Sequence, residues 1–237
     1  MQQYSNDYSS YESEVDARQG LNAYISKVFS WMFIGLIITT VVSLAVSTSV
    51  DILLFLANNM FLFFGLLIGE VVLVAVLSGR IMKLSFAAAF SMFLLYAAVN
   101  GVTLAIIFIS YTEESIWNTF LITAVTFGIM AVYGRFTKTD LTQFRSVLFM
   151  GLIGVLVLSI VNIFLNSSPL GWLISIIGLF VFLGLTAYDT QKLISYYHAT
   201  EGQEAIRKNL GVLGALALYL DFINLFLKLL RLFGRRR

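Results

Sequence analysis

The feature that most limits how this chain can fold is a series of seven apolar stretches, over roughly residues 25–47, 54–78, 84–110, 115–134, 146–166, 171–195 and 209–233. A hydrocarbon core about 30 Å thick is crossed by about 20 mostly apolar residues in an α-helix. Strands of a membrane barrel would alternate over about ten residues. Val71 to Leu77 and Leu173 to Leu185 do not alternate. Because a helix satisfies its own backbone hydrogen bonds away from water, the stretches predict an all-α membrane protein, a bundle of seven transmembrane helices. Charge is correspondingly scarce: 12% of residues are Asp, Glu, Lys or Arg, against about 25% in soluble domains.

The basic residues orient the bundle. Arg18 and Lys27 precede or open the first stretch, and Arg80 and Lys83 lie in the second connection. Arg135, Lys138 and Arg145 flank the fourth connection; Lys192, Arg207 and Lys208 flank the sixth. The first, third and fifth connections carry none. Lys and Arg accumulate on the cytoplasmic side of membrane proteins, so the pattern predicts a cytoplasmic N-terminus. The last stretch conflicts with it, because a full seventh crossing puts Arg235, Arg236 and Arg237 outside. Re-entry would keep them inside, and a span of 209–233 would not; the sequence leaves both open.

Residues 1–20 are polar and carry Asp7, Glu12, Glu14 and Asp16. They predict a flexible cytoplasmic tail rather than a signal peptide, which opens on a basic segment. Residues 21–237 then form a single multi-pass domain. The absence of cysteine removes thiolate chemistry and cysteine–zinc sites, and one histidine, His198, is too few for a transition-metal centre. Neither a phosphate-binding G-x-x-x-x-G-K-[ST] nor an H-E-x-x-H motif occurs. The expectation is a protein that is not an enzyme, has no cofactor, and binds no nucleic acid, since its basic residues are dispersed between apolar runs.

Against this background three acids stand out inside apolar stretches: Glu70, Asp189 and Asp221. A charge at a helix centre costs about 2.5–3.5 kcal/mol. Glu70 follows Gly65 and Gly69, a spacing that permits close helix contact, so it reads either as a structural acid on that contact or as an ion or proton site. If 197–208 is a turn, Asp189 and Asp221 lie roughly 12 Å and 20 Å from it at about 1.5 Å per residue, and a tilt brings them level. Two carboxylates meeting away from water do not both ionise easily, so such a pair senses pH. Calcium prefers oxygen ligands, and Asp189 and Asp221 are its candidate site, with Thr186, Thr190 and Asn224 as further oxygens. Arg80, or its rival Lys83, is a candidate cationic latch on Asp189. Tyr188 and Tyr219 stand near the aspartates as donors, while Lys228 and Arg231 read as snorkelling from the last helix. An intramembrane protease with two aspartates would need the same pairing.

Three segments carry a resemblance: Gly184-Leu-Thr-Ala-Tyr-Asp-Thr-Gln-Lys-Leu193, Leu218-Tyr-Leu-Asp-Phe-Ile-Asn-Leu-Phe-Leu227 and Leu229-Leu-Arg-Leu-Phe-Gly234. With Val132-Tyr-Gly-Arg-Phe-Thr-Lys-Thr-Asp-Leu141 and Gly101-Val-Thr-Leu104, they resemble the Bax inhibitor-1 family, also called the transmembrane Bax-inhibitor-motif or YccA family, from about residue 18 onward. The resemblance implies six helices around a central C-terminal one, in a bacterial inner membrane. It implies that Asp189 and Asp221 match the family's paired aspartates, a pH-sensitive latch on a calcium leak, and that Glu70 matches an acidic position in the second helix. The family's latch arginine falls one residue beyond Arg80, where this chain has Ile81. The resemblance also implies a second reading, an interaction protein that modulates a membrane protease such as FtsH.

Overall fold

The structure is a computed structural model that describes residues 2–237, with side chains from Asp16 onward except at Ala57. The elements are α1 (Gln2–Thr48), α2 (Val50–Asn58), α3 (Met60–Arg80), α4 (Phe86–Ser110), α5 (Glu113–Phe136), a 3-10 turn (Leu141–Phe144), α6 (Arg145–Leu165), α7 (Ser168–Ala199) and α8 (Glu204–Phe233). Seven helices are long and apolar enough to cross a membrane: α1 from Asp16, α3, α4, α5, α6 with its preceding turn, α7 and α8. The tail expected over 1–20 falls mostly on side chains outside the described residues; 16–20 continue α1. His198 sits in the last turn of α7.

The second expected span is broken. Asn59 leaves helical geometry at φ −115° and ψ 68°, and its side-chain amide donates to the Phe55 carbonyl at 2.8 Å. An amide that competes for backbone carbonyls ends a helix as apolar residues do not, so α2 and α3 are separate.

α8 is the most enclosed of the seven spans: Val212, Ala215, Leu216, Leu218, Tyr219 and Leu225 are all buried, and a stripe through Leu213, Ala217, Leu220, Asn224 and Leu227 is half-buried. A helix apolar all round belongs in an interior. It packs against α1, α4, α5 and α7, while α3 leans on α4 and α6 on α7. The outward faces of α3 and α6 expose Ile68, Val71, Ile153 and Ile160, the surface that lipid chains solvate.

Glycines set the closest approaches. Gly134 of α5 lies against the Ala187 backbone of α7, and Gly214 of α8 receives the Leu193 side chain. The Ser43 hydroxyl donates to the Gly101 carbonyl at 2.7 Å, joining α1 to α4. A methyl group placed on Gly65 or Gly69 would meet nothing within 4 Å beyond their own helix, so the close helix contact expected there is absent among the described residues. Glu70 turns inward to α4, and at about 100° per residue the two glycines turn away from it.

α8 is long and apolar enough for a full seventh crossing. Beyond α8, the Thr112 amide donates to the Arg235 carbonyl and the Arg237 amide to the Ser110 carbonyl, each at 3.1 Å. The Arg235 amide donates to Ser115 Oγ at 2.9 Å, and the Arg237 guanidinium pairs with Glu113 at 3.4 Å. The terminal arginines are thus pinned to the α4–α5 connection, on the face opposite the α1 entry. Main-chain pairing and an acid outweigh the charge rule here. On the other face, Asp140 Oδ1 accepts from the Thr142 amide and caps the 3-10 turn. The hydrogen bonds from Thr142 hold the Asp140 carboxyl below its ordinary range, so the cap is intact at neutral pH and is lost only as pH falls through that lowered value.

The glycine contrast is measurable by thermal unfolding in detergent. Gly134→Ala forces a methyl group into the Ala187 backbone, which has no rotamer with which to yield, and should cost about 1–3 kcal/mol. Gly65→Ala and Gly69→Ala, facing open space, should leave the midpoint unchanged or raise it slightly.

Candidate functional site

Asp189 and Asp221 meet. The register of α7 on α8 is fixed by Leu193 packing at Gly214 and the Lys228 stem lying across Gly178. That register separates the aspartates by roughly one helical turn in depth, and their side chains bridge it within hydrogen-bonding reach of each other. Their environments differ. Asp221 is 4% exposed, and its Oδ2 is enclosed without a hydrogen-bond partner among the described residues. The Asp189 side chain keeps 16% exposure.

The cation beside the pair is Lys192, one turn along α7, whose Nζ lies 3.9 Å from Asp189 Oδ1. The same ammonium stands over the rings of Tyr188 and Tyr196 at 5.6 and 5.5 Å. Arg80 and Lys83 are exposed at the end of α3, and neither is ion-paired with Asp189 among the described residues. Ile81 between them is buried, and its carbonyl accepts from Asn209 of α8 at 3.1 Å. The further oxygens are engaged locally. Thr186 and Thr190 donate to the carbonyls of Phe182 and Thr186, and the Asn224 amide to that of Leu220, each at 2.8 Å.

Glu70 belongs to a second polar group, roughly half the bundle away in sequence terms but tied to the same helix. Asn100 Nδ2 donates to Glu70 Oε2 at 3.1 Å and Thr103 Oγ1 to Glu70 Oε1 at 2.8 Å. The Tyr219 hydroxyl donates to Asn100 Oδ1 at 2.9 Å and lies 2.6 Å from Thr39 Oγ1, which donates to the Ala97 carbonyl at 2.8 Å. Tyr219 therefore points away from Asp221, although the two are close in sequence. Asn100, Thr103 and Thr39 are candidate residues that sequence reasoning did not single out. Polar residues in apolar runs were the available signal, but serines and threonines that bond their own helix look the same.

A cavity of about 650 Å³ opens between α1, α4, α5 and α8 toward the face that carries the C-terminus. Phe222, Ile223 and Phe226 of α8 line it, with Thr39 and Ser43 from α1, and Glu113 and Arg237 also contribute to its wall. Neither aspartate does. Among the described residues no group of three or more His, Cys, Asp or Glu could hold a metal ion.

Seven apolar helices enclosing two facing carboxylates define a multi-pass membrane protein built around intramembrane acids. The chain belongs to the Bax inhibitor-1 family: the family model described as "Inhibitor of apoptosis-promoting Bax1" matches residues 21–237. It is 46% identical to the inner membrane protein YbhL of Escherichia coli K12 over 227 residues, covering 95% of this chain and 97% of that protein. A protein of Borreliella burgdorferi is 45% identical, over 91% of this chain and 93% of its own length. A membrane protein of Streptococcus pyogenes serotype M3 is 38% identical, over 91% and 94%.

The load on Tyr219 can be tested directly. Tyr219→Phe leaves the ring against Phe93 and Tyr96 but removes the hydroxyl that partners the buried Asn100 amide. Leaving a buried polar group unsatisfied costs about 1–3 kcal/mol, so the variant should unfold at lower temperature than wild type.

Proposed function

We propose that this protein is a passive, proton-regulated leak for cations, calcium foremost, in the bacterial inner membrane, with its N-terminus in the cytoplasm and no enzymatic activity. The observation that carries the reading is the facing of Asp189 and Asp221 inside the bundle, with one Asp221 oxygen unpartnered. Carboxylates brought together away from water are held by a shared proton; without it, like charges repel and the pair opens its oxygens to a cation. Asp189, the less buried of the two, faces the side where Lys and Arg collect, which gives protons and ions a way in from that side. The membrane assignment draws support from the name of the YbhL relative, an inner membrane protein.

Two carboxylates fall well short of the six to eight oxygens that hold calcium firmly. A weak, incomplete ligand set suits passage better than storage. On the opposite side, the aromatic cavity stops at α8, so a continuous route requires α8 or its side chains to move. The structure in this reading is a closed state.

Calcium entry into proteoliposomes, followed with an enclosed indicator dye across a pH series, tests the proposal. Wild type should pass calcium at a pH-dependent rate, and Asp189→Asn and Asp221→Asn should each lower the flux or flatten its pH dependence. Identical flux and pH response in both variants would sink it.

A further inference from the structure

The hydrogen bonds around Glu70 do not balance. Tyr219 and Thr39 each own one hydroxyl hydrogen. In the orientation of the structure, the Asn100 amide group faces Glu70 and its oxygen faces Tyr219, so the Tyr219 hydrogen goes to Asn100 Oδ1. The Ala97 carbonyl can only accept, so the Thr39 hydrogen goes there. Both hydrogens are then used, yet the Tyr219 and Thr39 oxygens stand 2.6 Å apart. Oxygens at that distance are in hydrogen-bonding contact, and two bare lone pairs would repel. Three contacts share two hydrogens.

Turning the Asn100 amide over removes the deficit. Amide oxygen and nitrogen are distinguished by their hydrogen-bond network rather than by shape. With Nδ2 toward Tyr219, the amide donates to the Tyr219 hydroxyl, Tyr219 donates to Thr39, and Thr39 donates to the Ala97 carbonyl. Asn100 Oδ1 then faces Glu70 Oε2, and two acceptors meet unless the acid carries a hydrogen. One added proton on Glu70 completes every contact from the acid to Ala97.

The surroundings agree. Glu70 is 9% exposed and deep in an apolar helix. The titratable groups that face it are the phenols of Tyr96 on α4 and Tyr219 on α8, and both helices otherwise present only Asn100 and Thr103. No ion pair to Glu70 exists among the described residues. A carboxylate there would lack a compensating cation, which a buried charge requires.

We propose that Glu70 is a proton-binding site and that the Asn100 amide turns with its proton, so that the hydrogen-bond chain from Glu70 through Asn100 and Tyr219 to Thr39 has two directions. Gain or loss of the proton on α3 reverses the bonds made by Tyr219, and so reaches α8 at a point two residues from Asp221. Neither aspartate enters this hydrogen count, which holds whether or not the protein passes cations.

Infrared difference spectra of the purified protein in lipid nanodiscs at neutral pH test the assignment. Wild type should show a protonated-carboxyl carbonyl band that is lost in Glu70→Gln and kept in the Asp189→Asn Asp221→Asn double variant. No such band lost in Glu70→Gln would overturn the proposal. Thermal unfolding supplies the second measurement. The glutamine amide can donate to Asn100 Oδ1 as the acid would and accept from Thr103, so Glu70→Gln should keep the wild-type midpoint. A Glu70→Gln protein that fails to fold, or that melts well below wild type, would show that the charge is needed and would equally overturn it.

Discussion

Polar groups carried into a water-free interior must find their partners in the protein, and in this structure that demand falls mainly on α8. The helix packs against α1, α4, α5 and α7, so most of its polar side chains must find partners on those helices or on the connections between helices. Near its start Asn209 donates to the carbonyls of Ile81 and Leu84 in the α3–α4 connection. At mid-depth Tyr219 binds Asn100 and Thr39, and Asp221 meets Asp189. Beyond its end Arg235 and Arg237 pair with the α4–α5 connection. Each attachment is cheap to make and costly to break away from water. Together they fix the depth and rotation of the central helix, and the apolar packing fills in around them.

Much of this was legible in the sequence because the bilayer restricts the choices so severely. Seven apolar stretches were readable as seven spans, and acids in such stretches have to be buried together or satisfied singly. Asp189 and Asp221 stood out for that reason, as did Glu70. The long motifs around the two aspartates carried the family as well, and the match over residues 21–237 shows it.

The parts that were not legible depend on rotation about helix axes. Gly65 and Gly69 have a contact spacing, but a spacing does not say which way it faces, and Glu70 turns the glycines outward. Arg80 and Lys83 lie near the correct end of α3, yet Lys192 on α7 itself stands beside Asp189, through an i, i+3 relation that the sequence did contain. Tyr219 lies two residues from Asp221 and therefore on a different side of the helix, where it meets Asn100. The break at Asn59 was hidden because a single polar residue in an apolar run is tolerated in one helix and terminates another. Charge counting alone could not place the C-terminal arginines, since their main-chain pairing with Ser110 and Thr112 is invisible in composition.

The unequal burial of the two aspartates has a consequence in time. Asp189 keeps a fraction of its side chain open, so it is the member of the pair that a group arriving from outside can touch. One oxygen of Asp221 is closed off, and the neighbouring acid on α7 is Asp189. In the proposed leak this gives events at the pair an order: what arrives from the less buried side would meet Asp189 before Asp221. In the leak proposed above, the outer carboxylate would be a waiting position, and a brief change outside would be filtered before it reached the centre of the bundle.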